Sequence, residues 1–241
     1  SPPPPPSGPR HRRVGLPLAP IIGDDGPMQH IVWIVGVVTV AAAGWPLVTR
    51  VLPEPVTADP DKIAYRDTYS LRSMIAVTVA ATVAMTAAVA WAPPLTWPAW
   101  ALLATIGAWV VVIDAITTWI PAVLAWVGWA GWAVSVAIIT LADHTAGIIA
   151  IIATVVIFAA WLAVWALSHG AFGFSDVRIT PLWVAPAAAT SIDTLHIAVI
   201  AGLVLVAVVA LIDRFRYHTA RFLPWAPSLC SGALVGLAIA H

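Results

Sequence analysis

Of the 11 acidic residues in this chain, Asp114 and Asp176 alone sit inside or directly against hydrophobic spans with neither an adjacent basic residue nor an outer turn to account for them. Asp114 lies within Val110-Val-Val-Ile-Asp-Ala-Ile-Thr-Thr-Trp-Ile-Pro121, and Asp176 within the glycine-punctuated run Gly170-Ala-Phe-Gly-Phe-Ser-Asp-Val-Arg178. An ionisable group inside a bilayer costs about 2.5–3.5 kcal/mol on insertion scales and by default marks a functional site. Two carboxyls in one low-dielectric pocket do not readily ionise together, so the pair shares a proton. Aspartyl proteolysis needs that arrangement: the ionised member takes a proton from water while the protonated member donates to the scissile carbonyl oxygen. Neither a metal nor another cofactor is expected.

The neighbouring residues suit such a site. Pro121, seven residues after Asp114, is expected on nearly the same helix face, where it would end or kink the span and open space near the acid. Gly170 and Gly173 permit tight turns and the close backbone approach that a substrate strand would require. Thr117 and Thr118 are placed for local hydrogen bonds. Arg178 reads as a basic membrane anchor that could also attract an acidic group on a substrate and lower the pKa of Asp176. Asp176 is also a candidate N-cap for the helix that follows. His169 reads as an interfacial loop residue, and Asp143 and Asp193 as caps or turns at the outer face.

The elements that must position these groups are membrane spans. The chain has 241 residues, 61% of them hydrophobic and 9% charged, with a mean hydropathy of +0.95; ordinary soluble domains are about 45–50% apolar and about 25% charged. An all-α, polytopic transmembrane bundle of about eight helices is therefore predicted, with seven as the lower count. Spans are expected near residues 31–49, 73–92, 98–118, 122–142, 147–167, 178–191, 194–213 and 223–240, given that about 17–25 apolar residues cross a bilayer. The sixth is short and interrupted by Pro181 and Pro186, so it is either a separate short helix, a re-entrant segment or part of its neighbour. Residues 1–29, which open on Ser-Pro-Pro-Pro-Pro-Pro, are expected to be a disordered tail; residues 30–241 would form the membrane domain. The single cysteine, Cys230, rules out an intrachain disulfide framework and a Cys-rich zinc site. The 14 tryptophans are expected mostly in interfacial belts and helix packing.

Orientation follows from the basic residues. Arg50, Lys62, Arg66, Arg72, Arg178, Arg214, Arg216 and Arg221 fall on one side if eight helices alternate, and the positive-inside rule makes that side cytoplasmic. Arg10, Arg12 and Arg13 would then lie outside, near or beyond the range of about 15–20 residues over which charges bias insertion. With this orientation Asp114 and Asp176, 62 positions apart, come to the same cytoplasmic face.

Three motifs in order carry a resemblance: Asp114 with Ile120-Pro121, then Gly173-Phe-Ser-Asp-Val-Arg-Ile179, then Leu223-Pro-Trp-Ala-Pro-Ser-Leu229 with Gly232 in the last helix. Together they resemble the type IV prepilin peptidases, Gly-x-Gly-Asp membrane aspartyl proteases, over the chain from about residue 73 onward, with a weaker similarity at Arg50-Val-Leu-Pro53. Ser175 stands where the family has its second glycine, Arg178 where it has lysine and Ala226 where it often has glycine. The resemblance implies a leader peptidase of the inner (plasma) membrane acting on prepilin or pilin-like precursors at the cytoplasmic face. Asp114 and Asp176 would be its catalytic pair, its partners would be those precursors and the lipid bilayer, and no nucleic acid is implied. The loop from Arg50 to Arg72 is short and lacks cysteine, so the methyltransferase and zinc domain of bifunctional members is not expected. The alternatives are a small proton-coupled transporter, which would place polar groups at mid-membrane depth leading to both faces, or an inactive assembly-platform relative.

Overall fold

The computed structural model describes residues 26–54, 63–168, 173–217 and 223–241, and every regular element among them is helical. α1 spans Pro27–Val51, α2 Leu71–Trp91, α3 Trp97–Leu102, α4 Ala108–Thr117, α5 Ala122–Ala142, α6 His144–Leu167, α7 Phe174–Arg178, α8 Thr180–Thr190, α9 Ile192–Tyr217 and α10 Ala226–Ala240. Six helical stretches are long and apolar enough to cross a membrane: α1, α2, the composite 94–117, α5, α6 and α9. Helices satisfy their backbone groups internally, as the interior of a bilayer requires. Their outward faces carry apolar side chains such as Leu141, Ile152, Ile200, Val204 and Ile239, all exposed from the protein and suited to lipid. The bundle is thus a membrane protein built from helices alone among the described residues.

Several boundaries differ from the sequence-based expectation. Helix α1 begins at Pro27, where the ring's fixed φ suits the first turn, so residues 27–29 belong to the helix rather than to a tail. The remainder of the expected tail, residues 1–25, lies outside the described residues. The third span is not one regular helix. A 3₁₀ turn at Pro94–Thr96 leads into α3, a π turn occupies Leu103–Gly107, and α4 completes the span. Gly107 faces the Leu103 side chain, which a Cβ there would meet at 2.8 Å. A π turn adds a residue to the helical path and so re-aims everything after it, including Asp114.

The short sixth span is a separate helix at the centre of the bundle. All of α8 from Thr180 to Ala189 is buried, packed among α5, α6, α9 and α10. Eleven residues rise only about 16 Å, too little for a hydrocarbon core of about 30 Å; neighbouring helices rather than lipid surround it. Pro181 sits in its first turn, where its missing N–H costs nothing, and Pro186 is inside. Ser191 breaks the path with extended backbone, and its Oγ accepts the Thr194 N–H at 3.0 Å to start α9.

Helices α9 and α10 approach closely through glycines. A Cβ on Gly232 would meet the Ala198 carbonyl oxygen at 2.5 Å and the Gly202 nitrogen at 2.6 Å, and one on Gly236 the Thr194 carbonyl oxygen at 2.4 Å. Small residues at such a seam allow backbone contact without lipid between. Buried tryptophans tie other helices together and are less peripheral than a pure interfacial belt: Trp45 Nε1 donates to Ser73 Oγ at 3.1 Å. Trp109 Nε1 donates to the Ala41 carbonyl at 2.9 Å and Trp100 Nε1 to Thr190 Oγ1 at 3.1 Å. These bonds connect α1 to α2, α1 to α4 and α3 to α8, and so hold the scaffold on which both acids stand.

Candidate active site

Asp114 lies in the last turns of α4 and is 3% exposed. Its Oδ2 accepts the Ala226 N–H at 3.0 Å, 112 positions away in sequence. The Trp225 N–H also faces it. Ala226 opens α10, whose first-turn N–H groups have no partners within the helix and attract an acceptor. Pro227 beside it has no N–H, so the main-chain donors at the carboxyl come from Ala226 and Trp225. The third sequence motif therefore reaches Asp114 through backbone, a role its side chains do not announce.

The helix carrying Asp114 stops three residues later. Thr118 adopts φ 55° and ψ 23° and returns its N–H to the Asp114 carbonyl, and Thr117 Oγ1 accepts the Trp119 N–H at 3.2 Å. Thr118 is the only non-glycine residue with positive φ among the described residues. Pro121 takes no part in this stop and is not on Asp114's helix: it is the N-cap residue of α5, beyond the turn. The expectation of a proline on the face of Asp114 fails because the left-handed residue reverses the chain before Pro121 is reached.

Asp176 is the third residue of α7 and is 6% exposed. Gly173, not Asp176, is the N-cap residue; its carbonyl accepts the Asp176 N–H at 3.1 Å. A Cβ on Gly173 would stand 2.9 Å from Asp176 Oδ2 and 3.1 Å from Ser175 Oγ, so the absent side chain leaves room for the carboxyl. Ser175 keeps negative φ, a conformation in which a Cβ is unstrained. Gly170 and His169 lie outside the described residues.

The fold brings the two acids into electrostatic contact. Burial, followed by the neighbouring charge of Asp114, pushes Asp176 up from its ordinary 3.8 to about 8. Arg178 does not lower Asp176, contrary to expectation. Positions two apart on a helix point about 200° from each other, and the Arg178 charge bears instead on the phenol of Tyr65. Tyr65, in the 3₁₀ turn Tyr65–Thr68, is itself pushed up to about 12 by burial and by Glu54, partly offset by Arg178. Glu54 accepts the Tyr65 N–H at 3.0 Å. This corner escaped sequence reasoning, since nothing local distinguishes Glu54 or Tyr65 from other loop residues.

Asp143 caps α6, its Oδ1 accepting the Ala146 N–H at 3.0 Å, and Asp193 is an exposed first-turn acid of α9. Among the described residues no three His, Cys, Asp or Glu side chains converge as a metal site. No protein-family model, curated protein or solved structure matches the chain. The reading of the site accordingly stands on its residues: two buried carboxyls from separate helices, one docked on a helix start and the other raised well above the carboxylate range.

Proposed function

We propose that this protein is a membrane aspartyl endopeptidase that removes leader peptides from type IV prepilin or pilin-like precursors at the cytoplasmic membrane face. The observation that carries the reading is the coupling of Asp114 and Asp176, both buried, at one end of a helical bundle. The basic residues Arg50, Arg66, Arg72 and Arg178 belong to the segments at that end, which supports its assignment as the inner face.

The chemistry assigns each acid a task. The pair shares one proton, and Asp114, whose Oδ2 accepts the Ala226 N–H, is the member placed to carry the negative charge, which leaves the proton to Asp176. Asp114 takes a proton from a water molecule as the water oxygen bonds to the scissile carbonyl carbon, and Asp176 gives its proton to the carbonyl oxygen. In the second step the C–N bond breaks, the amine leaves with the proton held by Asp114, and the hydroxyl returns its proton to Asp176 as the carbonyl re-forms. Both acids end as they began.

The test is co-expression with a candidate prepilin and scoring of leader removal by gel shift, for wild type, Asp114→Asn and Asp176→Asn. Wild type should convert the precursor and neither variant should. Conversion that persists in both variants would remove the dyad from the reaction.

A further inference from the structure

Helix α1 packs on the π turn and α5 on α3, and between these two walls lies an open groove of about 690 Å³. Ligand sites commonly measure about 300–1,000 Å³ and combine apolar walls with a few placed polar groups. Gly36 opens the α1 wall: a Cβ there would meet nothing within 4 Å, although glycine inside a helix costs about 1 kcal/mol relative to alanine. Ser135 supplies the polar group. It is 5% exposed and lines the groove, and its hydroxyl makes no hydrogen bond among the described residues. Its oxygen is nevertheless open to the groove, since it is not one of the unpartnered atoms sealed inside the protein. Neighbouring hydroxyls behave otherwise: Thr105 Oγ1 donates to the Ala101 carbonyl at 2.8 Å and Thr140 Oγ1 to the Val136 carbonyl at 2.7 Å. An unpaired hydroxyl in an apolar setting costs free energy until an acceptor reaches it.

We propose that this groove binds one acyl chain of a membrane phospholipid, with the ester carbonyl accepting a hydrogen bond from the Ser135 hydroxyl. The inference goes beyond the peptidase reading and does not rest on it. The groove has the length of a single leaflet. Along α1 it runs from Val32 to Val40, about 12 Å at a rise of about 1.5 Å per residue, which is less than half of a hydrocarbon core of about 30 Å. A partner helix crossing the bilayer would need a seat along the whole span. The groove also has a polar end and an apolar end. The turn at 118–121 reverses the chain, so α5 runs opposite to the floor it packs on. Gly131 faces the Leu102 side chain, which brings Ser135, one turn on, level with Pro98 at the start of α3. There the Trp33 and Trp97 rings stand edge to face, 6.0 Å apart, at the kind of aromatic rim where lipid headgroups begin. The other end, at Val40, Ile106 and Val127, carries only hydrocarbon and points toward the bilayer centre. An ester-linked chain has the same order of groups, and it enters from the leaflet opposite the two acids.

The experiment uses the purified full chain in dodecylmaltoside micelles with a low ratio of phosphatidylcholine that carries a photoreactive diazirine midway along one ester-linked chain. Adducts are mapped by mass spectrometry after illumination. In wild type they should concentrate on Val40, Leu102 and Ile106 rather than on the outward faces of α6 and α9. Unlabelled ester-linked phosphatidylcholine should suppress them at a concentration about threefold or more below that of its diether analogue, the worth of one hydrogen bond. Ser135→Ala should erase that difference. Gly36→Leu, whose side chain enters open space, should abolish the groove adducts and leave those on α6 and α9, with thermal melting showing both variants folded. Adducts spread evenly over the lipid-facing helices of wild type identify an ordinary lipid annulus and overturn the proposal. Equal competition by ester and diether lipids in wild type overturns it as well, as do groove adducts that persist in Gly36→Leu. A groove that takes no adduct in wild type, in a chain that chemical cross-linking traps as a dimer and Gly36→Leu leaves monomeric, assigns the seat to a second copy and likewise overturns it.

Discussion

Asp176→Asn is predicted to make this protein more stable while abolishing its proposed activity. The folded protein holds Asp176 at about 8 against an ordinary 3.8, so between those values the folded state binds a proton that the unfolded state has released. Stability therefore falls as pH rises from about 4 to about 8 and levels off above that. Each pH unit of separation corresponds to about 1.4 kcal/mol, and the full interval to something on the order of 5 kcal/mol. Asparagine is nearly isosteric and has no proton to lose. Even one pH unit's worth of relief, at about 2–4 °C per kcal/mol for a chain of this size, would raise Tm by roughly 3–6 °C near neutral pH. The assay is thermal unfolding of wild type and variant in the same micelles, followed by tryptophan fluorescence across the interval. The two curves should converge near pH 4 and separate steadily above it, with the variant higher. A variant that melts at or below wild type near pH 8, or a difference that does not grow with pH, would refute the account of Asp176 as a buried, neutral acid.

Gly173→Ala should lower leader cleavage by about tenfold or more with little loss of fold, because its Cβ would stand 2.9 Å from Asp176 Oδ2 and push the carboxyl aside; precursor conversion rates together with circular dichroism check this. At the other side of the site, Gly232→Ala places a Cβ against backbone atoms of Ala198 and Gly202, none of which can rotate away. It should cost about 1–3 kcal/mol, the usual range for overpacking, read as a lower Tm, and should loosen the α10 start that holds Asp114. Thr118→Gly should stabilise by about 1 kcal/mol, since a β-branched residue at φ 55° carries strain that glycine lacks; an unchanged or lower Tm would show that the Thr118 side-chain hydrogen bond to the Thr117 carbonyl outweighs it.

What the sequence alone determined was the membrane, the helices and the two acids worth following. Continuous apolar runs in a chain with few charges admit only helices in a bilayer, because every backbone polar group must find its partner locally. The same economy of charge made Asp114 and Asp176 conspicuous. Their environment was decided elsewhere. A π turn at Leu103–Gly107 sets the direction in which Asp114 faces, and no period of apolar residues shows an extra residue in the helical path. The left-handed Thr118 was equally hidden, since threonine is not a residue that advertises such a conformation, and so Pro121 was placed on the wrong helix. The donor to Asp114 is a main-chain N–H from a helix 112 positions away; a backbone group has no letter of its own in a sequence, and only the close glycine seam of α9 and α10 brings it into place. Arg178 could be read from sequence as a charge near Asp176, but its turn toward Tyr65 and its covered, unpaired Nε follow from the roughly 200° between alternate helical positions and from the packing around them.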